Sequence, residues 1–222
     1  MDTPSGSRLI GLVGVAKSFA LKGHAPCVVF RPTTISLPAD RRLAVLGGKS
    51  EGKTILLQLL ARSEKPDFGE VVTRLRLSPV VNADRIFHRE LSALENVRFY
   101  ARRFGVGEDR LIVAMDNFHP LSAYLDERVG DLSQKQRRST EAALVAALGF
   151  DCYLVDDIGL FDPELIERTF EAATRRGGGV IFAATGARHA RRYGDCAVVI
   201  HDHTLHPFPR IEEAIRFYER GL

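Results

Sequence analysis

Short apolar runs alternate along the chain with stretches in which apolar residues return every third or fourth position. Leu43-Ala44-Val45-Leu46 is unbroken by any polar residue and predicts a strand buried on both faces. A glycine-rich turn follows it, and Ile55, Leu56, Leu59 and Leu60 then recur at helical spacing. The same order of strand, loop and helix is predicted further on. There Cys152-Tyr153-Leu154-Val155 ends at Asp156, and Pro163 opens a helix that closes near Gly177 to Gly179. Val180 to Ala184 predicts a third buried strand. Between about Asn82 and Asp131 the patterning is helical, with no buried strand, so this part reads as a helical insertion. The expected architecture is α/β with a substantially parallel sheet. It forms one domain over 1–222, with a helical subdomain at approximately 82–148.

Composition narrows the class of protein. The chain has 222 residues, 45% hydrophobic and 27% charged, enough to bury a sizeable core. No apolar run approaches the roughly 20 residues of a membrane-spanning helix. The opening MDTPSGSRLIG lacks the charged-then-apolar order of a secretory signal, so the expected location is cytoplasmic. Cys27, Cys152 and Cys196 are odd in number and far apart, which argues against a disulfide framework and predicts buried free thiols. The formal charge of +3 is too small to support nucleic-acid binding. Basic pairs such as Arg102-Arg103, Arg137-Arg138 and Arg175-Arg176 are scattered and read as solvated helix faces.

Chemistry enters at Gly47-Gly48-Lys49-Ser50-Glu51-Gly52-Lys53-Thr54, which satisfies G-x-x-x-x-G-K-[ST] between a predicted strand and a predicted helix. Glycines let consecutive backbone N–H groups turn inward around phosphate oxygens, and the helix that follows adds its positive N-terminal dipole. Lys53 is expected on the β- and γ-phosphates and Thr54 on Mg²⁺. A metal held against a triphosphate also needs an acid at the end of a neighbouring strand, and Asp156 takes that place.

The order of these motifs resembles the ABC-type ATPases over nearly the whole chain, and more closely the nucleotide-binding subunits of capsular polysaccharide and O-antigen exporters. Val15-Ala16-Lys17-Ser18-Phe19 is similar to the family's opening strand, so the resemblance gives Phe19 the role of stacking on adenine. The stretch from Phe87 to Phe99 resembles the family's Q-loop and the start of its helical subdomain, which places His88 where a residue facing Mg²⁺ and water is expected. Leu132-Ser133-Gln134-Lys135-Gln136 stands at the signature position, usually L-S-G-G-Q, and Asp162 resembles the D-loop residue. The tail Glu212-Glu213-Ala214-Ile215-Arg216-Phe217-Tyr218 resembles the end of the exporter subunits. The resemblance implies ATP and Mg²⁺ as ligands and a homodimer or heterodimer of ATP-binding subunits. It also implies permease subunits in the membrane, with this chain peripheral on its inner face.

Three motifs depart from the family pattern. Gln134 and Lys135 replace the signature glycines, and the catalytic place after Asp156 holds Asp157, one methylene shorter than the usual glutamate. Thr185 stands where the switch histidine is expected, and His189 follows four residues later. Slow turnover is the expectation. Alternatives are a hydrolysis-deficient, nucleotide-gated subunit paired with a more complete ATPase, and a P-loop kinase, which lacks an evident Arg-rich lid here. Asp162 reads equally as a helix cap, and for Ser133 a helix cap is the competing reading to the signature. His201, His203 and His206 read as surface residues near a hairpin rather than metal ligands.

Overall fold

Along the chain run β1 (Leu9–Phe19), β2 (Cys27–Pro38), β3 (Arg42–Leu46), α1 (Lys53–Ala61), β4 (Phe68–Val72) and β5 (Leu77–Val81). The helices α2 (Ala93–Phe104), α3 (Glu108–Asp116) and α4 (Gln134–Leu148) follow, then β6 (Cys152–Val155) and α5 (Pro163–Arg175). The chain finishes with β7 (Gly179–Ala183), α6 (Ala187–Tyr193), β8 (Cys196–His201), β9 (Thr204–Phe208) and α7 (Ile211–Arg220). The structure is a computed structural model that describes residues 8–20, 23, 26–82, 86–120 and 124–221. Residues 1–7 of the N-terminal stretch, and 83–85 and 121–123 of the helical insertion, lie outside the described residues.

The larger sheet has the order β5-β6-β7-β3-β8-β9, parallel except for the antiparallel β9 at one edge. Its central strands are buried apart from Arg42 at the start of β3, because both faces are covered. In β3, Leu43 and Val45 point into one core and Ala44 and Leu46 into the other. That alternation explains an apolar run with no polar partner face. One core takes α2 to α7; the other takes α1, with Leu56, Leu57, Leu59 and Leu60 fully inside.

That second core is closed by a separate antiparallel sheet, β2-β1-β4, which the sequence reading did not anticipate. Ile10, Leu12, Val15, Phe30 and Leu37 face inward from it, while Leu9, Val13 and Phe68 are exposed. The exposed apolar residues on its outer face blur the period-two pattern. Helices α2, α3 and α4 follow the predicted helical insertion, and their buried Val97, Ala101, Leu111 and Met115 belong to the same core as Phe182 and Tyr153 of the sheet. Helix α4 starts with a capping box in which Ser133 accepts from the Gln136 N–H while the Gln136 side chain accepts from the Ser133 N–H.

Two expectations need correction. Cys152 and Cys196 are buried free thiols, their pKa values pushed by burial to about 12 and about 11, but Cys27 is exposed on β2. Among the arginine pairs, Arg138 turns its Nε to Asn82 Oδ1 (2.8 Å) and Arg176 bonds Tyr153 Oη (2.9 Å), so these two tie elements together rather than facing only water.

Candidate nucleotide site

Three adjacent strands, β6, β7 and β3, deliver their C-terminal ends to one edge of the sheet, where ligands of open α/β folds bind. Strand β3 runs into the loop 47–52 and helix α1; β6 runs into Asp156 and Asp157; β7 runs into Thr185. The sequence-predicted phosphate and carboxylate residues are thereby brought together.

Gly52 has φ +93°, and a Cβ there would lie 2.4 Å from Val29 Cγ1 of β2, so only glycine fits. The same close approach sets the loop against the strand that pairs with β1: Cys27 is opposite Phe19. Phe19 is exposed at the end of β1, with the Lys17 ammonium 5.0 Å from its ring centroid. Lys17 itself is buried and bonds Glu64 (2.7 Å), the Lys65 carbonyl (2.9 Å) and Asp67 (3.3 Å). The hydrogen bond to Glu64 is the main reason its pKa is raised. This network, which sequence reasoning missed, holds the Lys17 ammonium against the Phe19 ring.

Within the loop, Lys53 Nζ donates to the carbonyls of Gly47 (2.7 Å) and Gly48 (2.8 Å), which holds the ammonium across the loop mouth. Burial lowers its pKa, opposed by the negative charges of Glu51, Asp156 and Asp157. The backbone N–H groups of Gly52, Lys53 and Thr54 find no main-chain acceptor among the described residues, as expected at a helix start prepared for an anion. Ser50 adopts φ +71°, and the Glu51 carboxylate accepts from the Gly48 N–H; Lys49 is exposed. Glu51 thus closes the loop on itself.

Thr54 Oγ1 donates to Asp156 Oδ2 at 2.9 Å. Both residues are half-buried, and burial raises the Asp156 pKa, countered first by the Thr54 hydrogen bond. A hydroxyl and a carboxylate oxygen side by side form an all-oxygen donor pair, and this chemistry fits Mg²⁺. Asn82, at φ +76° just beyond β5, reaches the Asp156 carbonyl (3.4 Å) and accepts from Arg138 of α4. It connects the carboxylate edge to the helical part, and no motif pointed to it.

Asp157 sits at φ +46°, and one of its oxygens accepts from Thr185 Oγ1 (2.9 Å). His189 is half-buried, packs against Tyr193 and approaches the same side of Gly159 as Thr185. His88 lies elsewhere: it is exposed, its N–H donates to Asn96 Oδ1 (2.7 Å), and its ring accepts from the Glu90 N–H (3.4 Å). It lines a cleft of about 910 Å³ together with Asn82, Phe99, Tyr100, Arg137 and Glu141, without a hydrogen bond to Thr54 or Asp156. Ser133 and Asp162 are helix caps, and Lys135 Nζ stands 3.8 Å from Asp162 Oδ2. His201 and His206 lie on the β8–β9 hairpin against Phe217, and the described residues hold no group of three metal-ligating side chains.

No protein-family model matches the chain. A cytochrome c biogenesis ATP-binding export protein, CcmA 2 of Cupriavidus metallidurans, is 31% identical over 152 residues, which cover 61% of this chain and 69% of that protein. The chain belongs to the ABC transporter ATP-binding family. Another relative in this family, the capsule polysaccharide export ATP-binding protein CtrD of Neisseria meningitidis, is 25% identical over 193 residues, covering 86% of this chain and 89% of the relative. The fold agrees with the family: a dimeric ATP-binding cassette solved in a post-hydrolysis state with ADP and Pi superposes with a TM-score of 0.79 at 16% identity, over 91% of this chain and 98% of that one.

Proposed function

We propose that this chain is the ATP-binding subunit of a transporter that exports capsular or lipid-linked polysaccharide, coupling ATP binding and hydrolysis to transport. The observation that carries the nucleotide part is the convergence of the loop 47–54, Asp156 and Asp157 on one sheet edge, with Thr54 and Asp156 already in contact. Support for the polysaccharide part comes from the export relative named above.

In this reading Phe19 stacks on adenine and the amides of residues 47–54 surround the phosphates. Lys53 turns from the loop carbonyls toward the β- and γ-phosphates, and Thr54 and Asp156 hold Mg²⁺. When bound, the metal neutralises charge on the phosphoryl oxygens. Asp157 orients the attacking water and takes part of its developing positive charge. His88 is assigned to the groove side, where the helical segment 82–148 acts as the subdomain that meets the permease. Among the described residues no helix is long and apolar enough to cross a membrane, and the translocation path is assigned to permease subunits that hold this chain at the inner face. A second ATP-binding subunit completes the pair.

Turnover of Mg·ATP by the purified chain tests the hydrolytic part, with Lys53→Ala and Asp157→Asn as comparisons. Loss of turnover in both variants, on the order of a hundredfold or more, is the expected result. Tight ATP binding with no turnover in the unaltered chain would instead favour the nucleotide-gated, hydrolysis-deficient subunit, the reading to which the residues at 134, 135, 157 and 185 lend weight.

A further inference from the structure

Asp157 and Thr185 come from different strand ends. Register pairs Val155 of β6 with Phe182 of β7, so the two chains leave the sheet side by side and their next polar residues meet. Thr185 Oγ1 then donates to Asp157 Oδ1 at 2.9 Å. Asp157 holds a left-handed backbone conformation that is costly for a residue with a Cβ, so its carboxylate is aimed by the turn as well as by this hydrogen bond. The space around the pair depends on Gly159. A Cβ there would lie 2.8 Å from Thr185 Oγ1, 3.1 Å from His189 Cε1 and 3.5 Å from Asp157 Oδ1. Glycine at 159 therefore keeps open the pocket in which the hydroxyl reaches the carboxylate.

We propose that Thr185 is a positioning residue for ATP hydrolysis, holding the short carboxylate of Asp157 in the orientation that accepts a proton from the attacking water. This rests on the function proposed above. A threonine hydroxyl does not ionise near neutral pH as an imidazole does, but it can donate one directional hydrogen bond to a carboxylate. Using Oδ1 for that bond leaves Oδ2 to face the water. In the step served, the water oxygen bonds to the γ-phosphorus and the bond from that phosphorus to the β–γ bridging oxygen breaks. ADP leaves with the bond electrons, and the water proton passes to Asp157 and on to solvent. Aspartate reaches less far than glutamate, and an error of about 1 Å at a reacting group costs on the order of a hundredfold. Fixing its rotamer is worth most where the side chain is shortest.

The test compares the full-length chain with Thr185→Ser, Thr185→Val and Gly159→Ala. Steady-state turnover, KM and directly measured ATP affinity are recorded for each, with thermal midpoints as a check on folding. Valine keeps the shape and removes the donor. It is expected to lower kcat about tenfold or more with KM and ATP affinity within about twofold, while serine keeps at least about a third of the parental kcat. Gly159→Ala, which crowds the hydroxyl, is expected to follow valine. A Thr185→Val chain that turns over at the parental rate overturns the proposal, as does a serine variant as slow as valine at an unchanged thermal midpoint. ATP binding without turnover in the unaltered chain also overturns it while leaving the nucleotide-binding function standing. Absence of ATP binding in the unaltered chain overturns that function and this proposal together.

Discussion

A methyl group added at Gly52 would lie 2.4 Å from Val29 Cγ1 and 3.0 Å from the Phe30 ring, on a backbone with φ +93°. Gly52→Ala should therefore both strain the turn and push the loop off β2. We expect a loss of about 1–3 kcal/mol in urea unfolding, together with ATP affinity lowered about tenfold or more. An unchanged urea midpoint would show that the contact with β2 relaxes without cost. At this scale the sequence was informative where a motif states its own spacing. Lys53, Thr54 and the loop glycines are such residues, and the structure brings them beside Asp156 from 102 positions away. Lys17 and Asn82 were not legible. Lys17 depends on Glu64 and Asp67, nearly 50 residues distant, and Asn82 on Arg138, 56 residues distant, and neither pairing leaves a local pattern. Thr185 was visible as a departure, but its partner was not, since only strand register brings it to Asp157.

Among the helices, α4 carries the clearest pH dependence. Glu141 is buried on this helix near the cleft, and burial raises its pKa from 4.5 to about 7, despite Arg137 and Arg138 nearby and a backbone hydrogen bond at Phe87. A carboxyl whose folded pKa lies above its unfolded one favours folding while protonated. Its contribution is thus fully present below about pH 4.5, declines as pH rises and is lost above about 7, a difference of roughly 3 kcal/mol. Glu141→Gln should remove this slope: its urea midpoint should exceed the parental one at pH 8 and nearly match it at pH 5. Parallel pH curves for the two chains would contradict the assignment. The legibility of elements followed burial. Strands β6 and β7, and β3 after Arg42, are buried and read as apolar runs, whereas β2 mixes exposed Arg31 and Thr34 with buried Phe30 and Leu37, and β4 is almost wholly exposed. Ser133 was readable as the cap of α4, whereas its reciprocal partner Gln136 and the capping box of Ser92 and Glu95 on α2 emerged only with the structure.

At the scale of the molecule, what matters is the order β5-β6-β7-β3-β8-β9. It sets β7 between the phosphate-loop strand and the carboxylate strand, so loop, acid pair and Thr185 occupy one continuous edge. Apolar patterning predicts that parallel strands exist but not which strand lies beside which, and the antiparallel sheet that closes the second core was equally hidden. The central claim is that this edge binds Mg·ATP through the loop 47–54, and isothermal titration of the full chain with ATP tests it most directly. Measurements with and without Mg²⁺ are compared with those of Lys53→Ala. The account predicts saturable binding strengthened by Mg²⁺ and weakened about tenfold or more by the substitution; no heat of binding in the unaltered chain, or equal affinity in Lys53→Ala, would contradict it.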